Sequence, residues 1–185
     1  TDLMMALARR PLLCDGAMGT QLIARGLPPG VCGESWNLQQ PEAVVAIHTA
    51  YRQAGCDLLT TNSFGGTRCN LEKHGLAGQT EAINRAAAQL ARRALASSSS
   101  GASGVWKTVG SGGASGVGSG TLSGGGSGGG WVLGDLGPFG DFLEPMGDMT
   151  EPRLKDIFAH QIEALYRGGA DAIIIETMTD PGEAT

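Results

Sequence analysis

The sequence of 185 residues predicts an α/β protein built around a mainly parallel sheet. Short apolar runs alternate with longer stretches whose apolar residues recur at helical spacing. Glycine or proline stands at most of the junctions between them. A glycine- and serine-rich stretch, residues 97–130, interrupts this alternation. Residues 1–96 then carry the first two βα units, and residues 131–185 a third unit and a fourth strand.

The first strand candidate is residues 12–14, ending against Asp15. After the long loop "GLPPGVCGESWNLQQ", Pro41 opens a helix on which Val44, Ile47, His48 and Tyr51 share a face, and Gly55 stops it. Residues 57–61 form the second strand. Its helix is "TEAINRAAAQLARRAL", with Thr80 in the capping position and Ile83, Ala87, Leu90 and Ala94 on the buried face. The segment 97–130, in which GASGV occurs twice, is expected to be a flexible, solvated insert, with "VWKTV" at 105–109 only punctuating it. "WVLGDLGPFG" reads as the third strand running into a turn. Thr150 is placed to cap the next helix, where Leu154, Ile157, Phe158, Ile162 and Leu165 make the apolar stripe and Gly168 with Gly169 end it. The fourth strand, "DAIIIE", is an unbroken β-branched run of the kind buried on both faces.

Composition narrows the function classes. A formal charge of −5 with dispersed Lys and Arg gives no electrostatic footprint for nucleic acid. No apolar run reaches the length of a membrane span, and the order of charges at the start is wrong for a signal peptide. Cys14, Cys32, Cys56 and Cys69 are too dispersed for a disulfide framework or a zinc site, so buried or inert thiols in a reducing cytoplasm are expected. The chain opens on Thr1, and its native start is expected upstream.

Each strand ends on a polar residue: Asp15, Asn62, Asp135 and Glu176. In parallel β/α architectures the carboxyl ends of the strands form the ligand face. Each residue also has a plain structural alternative: Asp15 as a turn former, Asn62 with Ser63 as an Asx turn, Asp135 as a loop cap. Glu176 is harder to explain that way, because a carboxylate directly after "AIII" is costly unless a cation pairs with it or the strand has reached the mouth of a pocket. Asp15 and Glu176 are suited to share one ammonium. Gly16, Ala17 and Gly19 would let backbone N–H groups approach an accompanying carboxylate, which describes a pocket for an amino acid. "GAMGT" lacks the lysine of a phosphate-binding loop. His48, His74 and His160 lie on or beside helices and are expected to be packing or surface residues rather than bases.

Four stretches, "LLCDGAMGTQL", "ESWNLQQPEAVVAIHTAYRQAGCDLLTTNSFGGTRCNLEKHGL", "GDLGPFGDFLEPMGDMT" and "GADAIIIETMTD", together resemble the homocysteine S-methyltransferase family. The resemblance implies a (βα)8 TIM barrel in which a zinc-bound homocysteine thiolate takes up a methyl group to give methionine, with only about the first four βα units in this chain. It places the ammonium of homocysteine on Asp15 and Glu176, its carboxylate beside Gly16 and Ala17, and the pocket wall at Asn62, Phe64, residues 65–67, Asp135 and Gly137. The family's zinc cysteines belong to later strands and match none of the four here. Zinc is thus expected for the complete barrel with its ligands absent from this chain, and cobalamin or folate would enter through other modules. A missing carboxyl-terminal half barrel is the expected partner, beside homocysteine and a methyl donor. Two alternatives stand beside this reading: a non-catalytic half barrel that pairs with another chain, and a related methyltransferase acting on a different thiol.

Overall fold

The computed structural model describes residues 2–97, 129–178 and 180–184. Most of the expected insert, including residues 105–109, lies outside the described residues. Seven α-helices and three strands are described: α1 (Leu3–Leu7), α2 (Met18–Ala24), α3 (Trp36–Gln39), α4 (Pro41–Gln53), β1 (Leu58–Thr60), α5 (Arg68–Glu72), α6 (Thr80–Ser97), β2 (Trp131–Leu136), α7 (Glu151–Gly168) and β3 (Ala172–Ile175). No helix among them is long and apolar enough to cross a membrane.

The strands form one parallel sheet in the order β1-β2-β3, with Leu59 opposite Val132 and Asp135 opposite Ile174. The expected first strand shrinks to a single parallel bridge between Cys14 and Leu58 on the far edge of β1. Pro11 has no N–H to extend a ladder; the Leu13 carbonyl accepts from the Asp57 and Leu58 N–H groups and the Asp15 N–H donates to the Leu58 carbonyl, and side-chain bonds add to these. Asp57 accepts from the Leu13 N–H at 3.0 Å and from both Arg10 guanidinium nitrogens at 2.7 and 2.8 Å.

Strand alternation divides the sheet into two faces. On the outer face, Leu59 and Val132 pack with Ala88, Ala91 and Leu95 of α6, and Leu136 packs with Leu154 and Phe158 of α7. Gly134 belongs to this face: a Cβ there would sit 2.7 Å from Ile173 Cδ1 and 3.1 Å from Leu165 Cδ1, so only glycine lets α7 lie this close. Leu58, Thr60, Leu133, Asp135, Ala172 and Ile174 therefore point to the inner face, and the helices that pack against the sheet cover the outer one. A doubly wound sheet has helices on both sides; one-sided cover over parallel strands in sequential order is the arrangement within a barrel wall.

The helices follow the sequence reading closely, with two corrections at their ends. Val44, Ile47 and His48 are buried on α4, as are Ile83, Ala87, Leu90 and Ala94 on α6. Thr80 is not a cap; it lies in the first turn of α6, where its hydroxyl donates to the Ala77 carbonyl at 2.8 Å from a preceding 3-10 turn. Thr150 occupies the N-cap of α7 in an extended conformation but its side chain makes no capping bond. Gly169 ends α7 with φ of 103°, a left-handed conformation that favours glycine. The fourth predicted strand, β3, is not buried on both faces. Paired on one side only among the described residues, it is half-buried, and Ile175 is 49% exposed.

Candidate functional site

The inner face ends in a cluster of carboxylates at the carboxyl side of the strands. Asp15 follows the Cys14 bridge and accepts from the Thr60 N–H with both oxygens at 3.0 Å and from the Thr60 hydroxyl at 2.8 Å. Burial raises its pKa, and the Thr60 bonds, which favour the charged form, offset only part of that rise. Asp135, near the end of β2, is 8% exposed. Its backbone is held at both ends: the Asp135 N–H donates to Thr61 Oγ1 at 2.9 Å and Ser63 Oγ donates to the Asp135 carbonyl at 2.7 Å. Its Oδ1 has no hydrogen-bond partner among the described residues. Burial first, then the charges of Glu176, Asp15 and Glu34 and hydrogen bonding with Glu176, push the Asp135 carboxyl up to about 7.

Glu176 follows β3 directly and is exposed, so its charge carries no burial cost; the strand has reached the open rim, one of the two settings that make an acid tolerable there. Its N–H continues the ladder to the Leu136 carbonyl at 3.1 Å. Asp15, Asp135 and Glu176 are thus brought together from three strand ends. Among the described residues no ion pair involves any of them. Unneutralised carboxylates of this kind create a field that attracts a cation.

Glu34 is a fourth acid that sequence reasoning missed. It lies in a 3-10 turn, Gly33–Ser35, where its carboxylate accepts from the Gly65 N–H at 2.7 Å and the Cys32 thiol at 3.2 Å. A single acid in an aperiodic loop gives no signal by itself; "ESWN" was visible only as part of the resemblance.

The other expected site residues lie beside this cluster in the chain. Asn62 is buried, and its amide donates to the Gly33 carbonyl at 2.9 Å and Asn37 Oδ1 at 3.0 Å, while Asn37 donates back to the Asn62 carbonyl at 2.8 Å. This reciprocal pair ties the end of β1 to the 33–37 loop that carries Glu34. Phe64 is 38% exposed and its ring lies over Gly137, where a Cβ would fall 2.6 Å from the ring. Gly16 and Ala17 are exposed; the Tyr51 hydroxyl donates to the Ala17 carbonyl at 3.0 Å and lies beside Gly16. Behind the cluster, Gly66 lies against Asn84 and Gln161, whose amides donate to the Gly66 and Ser63 carbonyls at 2.8 Å.

The described residues do not fit a zinc ion. No group of three His, Cys, Asp or Glu among them is placed to hold a metal. Burial pushes the thiols of Cys14 and Cys32 up to about 11, and raises those of Cys56 and Cys69, so all four are held as neutral thiols rather than as the thiolates that ligate zinc.

Comparison with known proteins agrees with this architecture. The chain is 31% identical over 188 aligned positions to a methionine synthase of Mycobacterium tuberculosis (strain ATCC 25618 / H37Rv), an alignment covering 97% of this chain and 13% of the synthase. A methionine synthase of Mycobacterium leprae (strain TN) is 29% identical over the same shares. Among solved structures, the homocysteine methyltransferase MmuM from Escherichia coli in its oxidized form superposes with a TM-score of 0.72 at 24% identity, covering 99% of this chain and 59% of MmuM. The chain thus spans about an eighth of the curated relatives and under two thirds of the solved one. The family model for homocysteine S-methyltransferase matches residues 12–185, and the chain belongs to that family.

Proposed function

We propose that this chain forms the amino-acid-binding part of a homocysteine S-methyltransferase, its sheet being the first four βα units of a (βα)8 barrel. The observation that supports this most is the convergence of Asp15, Asp135 and Glu176 on the inner face of a sheet whose other face carries the helices. Asp15, oriented by Thr60, and the exposed Glu176 bind the substrate ammonium. The exposed backbone at Gly16 and Ala17 lies open to its carboxylate, which directs the thiol into the pocket. Methyl transfer needs that thiol as thiolate. The described residues supply neither zinc ligands nor a partnered base, so thiol activation belongs to a complementary half barrel, which would also cover the open flank of β3. Half-exposed Leu13 and Ile175 at the two edges of the sheet support such a partner.

Calorimetry of homocysteine binding to the full chain tests the reading. Asp15→Asn and Glu176→Gln should each weaken binding by about 2 kcal/mol, roughly thirtyfold, as when one partner of a charge pair is removed. Unchanged affinity in both variants would refute it.

A further inference from the structure

The turn that carries Gly16 and Ala17 is held from two sides. Asp15, before it, is fixed by the Thr60 N–H and hydroxyl. On the other side stands Tyr51 of α4, whose hydroxyl donates to the Ala17 carbonyl at 3.0 Å. Apart from the bonds of α2 itself, this is the one hydrogen bond to the backbone of Gly16 or Ala17 among the described residues. Gly16 makes room for it: a Cβ there would lie 3.1 Å from the Tyr51 hydroxyl and 3.3 Å from its ring, closer than ordinary contact. The Tyr51 ring packs against the two core clusters that contain Leu59 and Ile47, so packing fixes where the hydroxyl sits. Burial and the nearby Asp15 raise the Tyr51 pKa, and the hydroxyl stays a donor throughout the neutral range.

A carbonyl oxygen is a poor neighbour for a carboxylate, because both are acceptors carrying negative charge and they repel. The Tyr51 bond turns the Ala17 oxygen toward α4, and since the peptide is planar and trans, the N–H that follows it lies on the opposite side. We propose that Tyr51 is a positioning residue for the substrate carboxylate: its hydroxyl holds the Ala17 carbonyl back, so that this turn presents its N–H side to the ligand. This rests on the binding site proposed above. The role separates the two ends of the amino acid. Asp15 and Glu176 act on the ammonium, whereas Tyr51, whose hydroxyl bonds the Ala17 backbone, acts on the carboxylate.

The test is titration calorimetry of the full chain with methionine, which shares the amino-acid end, and with the amine that remains when the carboxylate of methionine is removed. Wild type should bind methionine more tightly than the amine. Tyr51→Phe keeps the packed ring and removes the hydroxyl; it should weaken methionine about fivefold, the loss expected of one hydrogen bond, and leave the amine unchanged. Asp15→Asn should weaken both. A general loosening of the fold would lower both ligands together, so equal losses in Tyr51→Phe overturn the proposal, as does an unchanged methionine affinity. A wild type that binds the two ligands equally, or neither, overturns instead the carboxylate end of the binding site, and the role of Tyr51 with it. Where Tyr51→Phe fails to fold, NMR of the wild-type protein decides: methionine should shift the Tyr51 ring resonances and the amine should not, and the same shifts with both overturn the proposal.

Discussion

Replacing His48 with leucine should stabilise the protein, and increasingly so as the pH falls. His48 is fully buried on α4, and neither ring nitrogen has a hydrogen-bond partner among the described residues. Burial lowers its pKa from 6.5 to about 4. Above pH 6.5 the ring is neutral in native and unfolded chains alike and costs nothing in proton balance. Below it the unfolded chain takes up a proton that the native protein refuses until the pH reaches about 4, so stability is complete above the unfolded value and falls as the pH drops. Each pH unit in that window costs about 1.4 kcal/mol, or about 3 kcal/mol across it, and about 2 kcal/mol is lost by pH 5. His48→Leu removes this loss and the two unmet nitrogens. The variant should match or exceed wild type by about 1 kcal/mol at about pH 7.5, and its advantage should widen by about 2 kcal/mol at about pH 5. Urea unfolding of both proteins at the two pH values measures the double difference, in which the titrations of Asp135 and the other acids cancel. A gap that does not change with pH, or a His48 ring that titrates near its ordinary value by NMR, would refute the argument.

Thr60→Val removes the 2.8 Å hydroxyl bond to Asp15 and keeps the backbone one. It should raise the Asp15 carboxyl further, seen by carbon NMR, and weaken homocysteine binding by about 1.5 kcal/mol in calorimetry. Gly66→Ala drives a Cβ into Asn84 Oδ1, the Gln161 amide and the Ser63 carbonyl; a loss of about 2–4 kcal/mol in urea unfolding is expected, and a neutral result would show that the three can part. Asn37→Ala strands the Asn62 amide without one of its two acceptors, and should cost about 2 kcal/mol while leaving the Asp135 titration unchanged.

The elements legible in the sequence were those whose burial repeats along the chain. The stripes of α4, α6 and α7 could be read because every third or fourth residue meets the same neighbour, and Gly169 because its turn needs a left-handed residue. Asp15 and Glu176 draw attention in the sequence because an acid abutting an apolar run demands a reason. Where a polar side chain points was not legible. Asn62 looks the same in sequence whatever its amide bonds, and its acceptors, Gly33 and Asn37, lie some 25 to 29 positions away. Gln161 did leave a trace: it interrupts the stripe of Leu154, Phe158 and Leu165, and the structure buries it to bond the Ser63 carbonyl. The extent of the first strand and the exposure of β3 depend on what lies alongside each edge, which no local pattern encodes.

The single bridge at Cys14 means that Asp15 hangs on the part of the sheet with least backbone pairing. The Leu13 N–H goes to a carboxylate, the Asp15 N–H to the Leu58 carbonyl, and the Arg10 clasp on Asp57 holds the segment from the end remote from the cluster. Such a segment opens on its own, ahead of the rest of the sheet. Its amides should exchange with solvent sooner than those of β2, and a molecule held between Asp15 and Glu176 would stitch the loosest strand to the far side of the sheet. Slowed exchange at Leu13 and Asp15 would then report occupancy of the pocket without any measurement of chemistry, and the salt that loosens the Arg10 clasp would quicken it.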